Sequence, residues 1–174
     1  EMREFIRAAT DSVAREIAKV RKQAGAFEAD RAAMQKRCAD LEVRCAAAET
    51  RLAALEGAED ALATATGVAA IAATFLGLLK SGDHLIISEV CYAGAYELAS
   101  RILTDLGIAV TPVNLSDLEA TKAALRPNTR LIHAESPCNP ILRLTDLAAL
   151  SALAHQHGVL VSVDSTLATP VITR

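Results

Sequence analysis

A chain of 174 residues with 52% hydrophobic and only 3% aromatic content can bury one medium core built almost wholly of aliphatic side chains, with room for an appendage. Its net charge of -3, with basic and acidic residues interleaved, excludes the electrostatic footprint of a nucleic-acid-binding protein. Cys38, Cys45, Cys91 and Cys138 form no CxxC pair, which argues against a zinc site and a disulfide framework and makes a reducing, cytoplasmic setting the expectation.

The amino terminus, EMREFIRAAT, has no apolar run behind a basic start, so no secretory leader is expected, and Glu1 ahead of Met2 points to residues upstream. Residues 1–56 hold 11 Lys+Arg and 10 Asp+Glu, more than half of all the charges, which places a boundary near Gly57. Before it, apolar residues recur every seven positions. Ile6, Val13, Val20, Phe27, Met34, Leu41, Ala48 and Leu55 fall at d, and Ile17, Ala24, Cys38, Cys45 and Leu52 at a. This is a coiled-coil seam, expected to join two copies in a homo-oligomer through residues 10–56. Arg37, Arg44 and Arg51 at g face Glu42, Glu49 and Glu56 at e across a parallel pair, whereas antiparallel pairing opposes like charges. Thr10 and Arg31 interrupt the seam and Gly25 is a point for a kink. A single amphipathic helix packing on its own domain is the alternative.

Residues 57–174 alternate β-rich runs with helical spacing: ALATAT, LIISEV, AVTPVN, LIHAES and VLVSVD. That alternation predicts an α/β domain with a mostly parallel sheet. The uncharged stretch Ala61–Leu79 approaches membrane-spanning length, but its threonines and Gly67 favour a buried strand turning into a buried helix. Ligands of such sheets bind beyond the carboxyl ends of the strands, so the residues after each run matter most. Thr66-Gly67-Val68 offers backbone amides to an anion at a helix start. After later runs come Cys91-Tyr92-Ala93-Gly94, Glu135-Ser136-Pro137-Cys138-Asn139-Pro140 and Asp164-Ser165-Thr166. A ring, an amide and a carboxylate on strand ends suit a flat cationic heteroaromatic with a phosphate tail. His155 and His157, two apart on a helix, do not share a face and make no metal site.

RLAALEGAEDALATATGVAAI, LLKSGDHLIIS, Tyr92-Ala93-Gly94, RPNTRLIHAESPCNP and VDSTLATP together resemble the Cys/Met-metabolism enzymes dependent on pyridoxal phosphate, such as cystathionine gamma-synthase, cystathionine lyases and methionine gamma-lyase. The resemblance covers about residues 49–171. It implies part of the large domain of a type I pyridoxal-phosphate-dependent transferase, behind a long amino-terminal helix, acting on an amino acid substrate in C–S lysis or gamma-replacement. By it, the Gly67 and Val68 amides would hold the cofactor phosphate, with Thr166 a lesser candidate. Tyr92 would stack on the ring as the catalytic candidate, Asn139 would face the phenolic oxygen or substrate carboxylate, and Asp164 would pair with the pyridine nitrogen. The implied sheet order is 131–136, 159–164, 85–90, 109–114, all parallel, with a strand at 61–66 set apart from it.

The family's Schiff-base lysine would lie beyond Arg174, and Lys19, Lys22, Lys36, Lys80 and Lys122 match no such position. The chain is therefore expected to hold the cofactor noncovalently at most and to be inactive by itself. A coiled-coil interaction protein carrying a degenerate cofactor domain is the competing reading. Singly, Tyr92 and Asp164 also fit helix caps and Asn139-Pro140 a plain turn.

Overall fold

The computed structural model describes the backbone of residues 2–172 and the side chains of residues 15–172. The chain forms two compact units, residues 1–52 and 53–174.

Alanine, glutamate, arginine and lysine dominate residues 2–56, and they are strong helix formers. They form one helix, α1 (Met2–Glu56), unbroken through Gly25. Glu16 and Lys19 pair on its surface at 2.7 Å. The apolar residues at seven-residue spacing, Ile17, Val20, Phe27, Met34, Leu41, Leu52 and Leu55, are exposed, as are Cys38 and Cys45.

The second unit carries α2 (Gly67–Leu78), β1 (His84–Ser88), α3 (Ala93–Glu97) continued by a π-helical stretch Leu98–Leu103, and β2 (Ala109–Val113). There follow α4 (Leu118–Ala124), β3 (Thr129–Glu135), α5 (Leu147–Gln156), β4 (Leu160–Asp164) and the short α6 (Thr169–Ile172). All strand pairs are parallel, in the order β2-β1-β3-β4. Side chains alternate between the faces of a strand, so each face has its own core. Leu85, Ile87 and Leu131 pack with Ile71 and Phe75 of α2 and with Ala95 and Leu103. Ile86, Ile132 and Ala134 pack with Leu150 and Ala154 of α5. No described helix is long and apolar enough to cross a membrane.

Two sequence expectations are corrected. The strand at 159–164 was placed between 131–136 and 85–90, yet β3 lies beside β1 and β4 is the edge. Burial agrees with the observed order. Six of the seven β3 residues are buried and all five of β1, whereas Leu160 and Val163 of β4 are exposed, as fits two strands covered on both faces and one at the edge. The second correction concerns 61–66, which is no strand. Both sides of β1 and β3 are occupied, and the ALATAT hydroxyls bond locally: Thr64 donates to the Thr66 carbonyl at 2.8 Å and Thr66 Oγ1 accepts the Ala69 N–H at 3.1 Å, capping α2.

A polar bolt closes the amino-terminal end of the sheet. The fully buried His84 of β1 contacts Thr129 of β3 through Nδ1 and Thr111 of β2 through Nε2, both at 2.8 Å. Arg126 donates its backbone N–H to the Thr129 hydroxyl and a guanidinium N–H to that of Thr111. Burial, reinforced by the Arg126 charge, lowers the basicity of His84 from 6.5 to about 4, and burial does the same for His133 against the pull of Asp164. The unfolded imidazoles protonate first as pH falls, so acid favours the unfolded chain. Stability is full above about pH 6.5 and is lost as the pH drops towards 4, by up to about 3 kcal/mol per histidine. Urea melts between pH 7.5 and 5, above the carboxylate range, should show this slope, and a His84→Gln chain should show less of it.

Candidate functional site

The chain leaves β1 for β2 on one side, then crosses back to β3 and β4 on the other, so its order reverses between β1 and β3. Loops diverge at such a switch point and leave a crevice beyond the carboxyl ends of the strands. A cavity of about 420 Å3 is found there, lined by Gly67 and Val68 at the start of α2, Tyr92 after β1, Asn139 after β3, and Asp164 and Thr166 at the end of β4. All six residues expected from the sequence meet in it. Thr66, Ile71, Glu135 and Leu167 complete the wall.

At the start of α2, Thr66 caps the Ala69 N–H and its carbonyl accepts from Ala70. The Gly67 and Val68 N–H groups have no hydrogen-bond partner among the described residues, and first-turn donors of this kind attract anions. Tyr92 precedes α3 with its side chain half exposed. Its ring folds back over Gly94, where a Cβ would stand 2.6 Å from Tyr92 Cε1. The absence of a side chain at 94 thus sets the ring's position.

Glu135, a residue in the sequence motif to which no role was assigned, organises the site. It ends β3, is buried, and accepts the Tyr92 N–H on one carboxylate oxygen and the Asn139 N–H, at 2.9 Å, on the other. One carboxylate thereby ties the loop that carries Tyr92 to the loop that carries Asn139. The only sequence signal for this was a carboxylate inside an otherwise apolar strand end, since a buried charge needs donors.

Asp164 Oδ1 accepts both the backbone N–H, at 3.0 Å, and the hydroxyl of Thr166. The Thr166 hydroxyl is thus engaged with Asp164, while Asp164 Oδ2 has no bond among the described residues. Burial first, then the charges of Glu135, Cys138 and Asp164, pushes the Cys91 thiol up to about 12, so it is no nucleophile at neutral pH. Cys138 is buried, with its thiol donating to the Glu135 carbonyl at 3.0 Å. No lysine lines the cavity, and no cluster of potential metal ligands occurs among the described residues.

A parallel α/β domain with two free amides, an exposed aromatic ring and a carboxylate with one open oxygen around a single crevice is a cofactor-binding domain for an anionic, ring-bearing group. Residues 13–174 match the family model for Cys/Met metabolism PLP-dependent enzymes, and the chain belongs to that family. The family's cofactor is pyridoxal phosphate. The free amides answer to its phosphate, the open Asp164 oxygen to its ring nitrogen and the Tyr92 ring to its flat face, so the residues present fit it. The chain is 47% identical over 119 residues to a canavanine gamma-lyase of Pseudomonas canavaninivorans, covering 68% of this chain and 30% of the relative. It is 44% identical over 113 residues to a probable cystathionine gamma-synthase of Herpetosiphon aurantiacus, covering 65% and 35%. A cystathionine gamma-lyase from Lactobacillus plantarum complexed with L-serine superposes with a TM-score of 0.66 at 39% identity, covering 68% of this chain and 31% of that one. The chain thus spans about a third of the length of these relatives.

Two substitutions test the geometry. Gly94→Ala must displace the Tyr92 ring and should weaken pyridoxal phosphate binding about tenfold in a fluorescence titration, a loss of about 1.4 kcal/mol. Glu135→Gln replaces one carboxylate oxygen by an NH2 donor, so one of the two backbone N–H groups loses its acceptor, and should lower stability in urea melts by about 1–3 kcal/mol.

Proposed function

We propose that this chain supplies the cofactor-binding face of a pyridoxal-phosphate-dependent enzyme that eliminates or replaces the side-chain leaving group of an amino acid, of the transsulfuration type. The convergence of Gly67, Val68, Tyr92, Asn139 and Asp164 on one cavity carries this reading. The Gly67 and Val68 amides bind the phosphate at the positive end of α2. Tyr92 covers the ring, Asn139 orients the phenolic oxygen or substrate carboxylate, and Asp164 keeps a proton on the pyridine nitrogen. A ring so protonated, when bound, accepts electron density from the substrate carbon that has lost its proton. The names of two relatives, canavanine gamma-lyase and probable cystathionine gamma-synthase, support chemistry at a gamma position.

With no lysine at the cavity, the chain binds the cofactor noncovalently and does not turn over substrate by itself, since covalent capture of the aldehyde needs an amine placed beside it. Pyridoxal phosphate should bind reversibly and be removed by dialysis. Borohydride treatment followed by peptide mapping should find no stoichiometric label, and a single full label on Lys80 or Lys122 would overturn the noncovalent reading. Asp164→Ala should weaken binding about tenfold or more, the loss expected of a charged partner.

A role for α1 in joining two copies is favoured by the exposure of its heptad residues. In a parallel pair, Arg37, Arg44 and Arg51 face Glu42, Glu49 and Glu56 of the partner, and identical a positions meet across the axis. Cys38 then opposes Cys38 and Cys45 opposes Cys45. Mild oxidation at low protein concentration should give symmetric crosslinks at both positions, and a monomer by light scattering without crosslinks would count against the pairing.

A further inference from the structure

We propose that His133 is a positioning residue that ties strand β4, and with it Asp164, to the helix whose first turn offers the Gly67 and Val68 amides. The inference rests on the cofactor reading above and adds to it a brace beneath the cavity. His133 lies on β3 one pleat below Glu135, paired in register with Ser162, while Glu135 is paired with Asp164. Its Nδ1 contacts the Ser162 hydroxyl at 2.7 Å. Its ring meets that of Phe75, two turns along α2 from Gly67, edge to face at a centroid distance of 4.9 Å. One imidazole thus touches both elements that would grip the two ends of the cofactor, the phosphate end through α2 and the ring nitrogen end through β4.

The imidazole is poorly explained by stability alone. It is buried, and its Nε2 is the single buried side-chain nitrogen or oxygen without a hydrogen-bond partner among the described residues. A stranded polar atom of this kind is destabilising, and a phenylalanine would fill the same space against Phe75 without one. What phenylalanine lacks is the Nδ1 contact to Ser162, two residues before Asp164. The Asp164 carboxylate is also close enough to raise the basicity of His133 against the larger opposing effect of burial.

The test uses the 174-residue chain titrated with pyridoxal phosphate, reading affinity by equilibrium dialysis and ring protonation by the absorbance spectrum of the bound cofactor. His133→Phe keeps the contact with Phe75 and removes the bond to Ser162; Ser162→Ala removes the same bond and leaves the ring. Each should weaken binding about fivefold to tenfold, the worth of one hydrogen bond, and shift the bound spectrum in the same direction. The double variant should add nothing further. His133→Asn, whose amide can still reach Ser162, should restore the spectrum. Competition by inorganic phosphate should be unchanged in His133→Phe and Ser162→Ala, because both keep a ring against Phe75 and leave the α2 amides untouched. Unaltered affinity and spectrum in Ser162→Ala, or a shift in His133→Phe alone, would overturn the brace while leaving the cofactor site intact. Failure of the unsubstituted chain to bind pyridoxal phosphate would overturn the cofactor reading and the brace with it.

Discussion

A carboxylate withdrawn from water at the end of a central strand must find donors, and Glu135 finds them in the backbone amides of Tyr92 and Asn139. The Arg143–Glu89 ion pair, at 3.0 Å, joins the same two loops nearer to solvent, while at the strand end itself the charged acceptor holds each amide roughly twice as firmly as a neutral one would. Tyr92 and Asn139 therefore keep their places because a strand ends in glutamate where the chain order reverses. The arrangement uses backbone donors, so the two side chains remain free to face the cavity. A side chain that anchored itself by its own polar atoms would have no such freedom.

The two ends of the sheet are held by opposite means. At the amino-terminal end a neutral imidazole, two hydroxyls and one guanidinium complete a network across three strands. At the carboxyl-terminal end two carboxylates, Glu135 and Asp164, stand in register on neighbouring strands. Two unpaired carboxylates side by side would repel. Both oxygens of Glu135 accept amides, whereas one oxygen of Asp164 stays open, so Asp164 is the carboxylate with an oxygen left for a ligand. The polarity of the domain thus follows from which ends of the strands receive donors from their own backbone.

Most of the site was legible in the sequence because its residues stand at turns out of apolar runs: Tyr92, Asn139 and Asp164 stand at or after strand ends, and Gly67 opens a helix. Glu135 was visible but unassigned, since its partners are main-chain amides and leave no residue-type signature. His133 sat inside an apolar run as one more strand residue. The strand order was misread because resemblance placed β4 centrally, and the runs themselves did not correct it: TRLIHAE and LVSVD each hold three apolar residues, so hydropathy does not tell the central strand from the edge. ALATAT was misread through its threonines, which favour strands when neighbours exist to pair with and act as caps when none do.

The position of β4 at the edge has an electrostatic consequence for Asp164. Leu160 and Val163 of that strand are exposed, and Asp164 is partly open to water, which screens its charge. Two unit charges 4 Å apart attract with about 1 kcal/mol in bulk water and about 4 kcal/mol at the dielectric typical of a protein surface. Anything that lay along β4 and displaced that water would strengthen the hold of Asp164 on a cation without moving an atom of the cavity. The edge strand thus sets the dielectric around Asp164, and what shields it would set how firmly that carboxylate holds a cation.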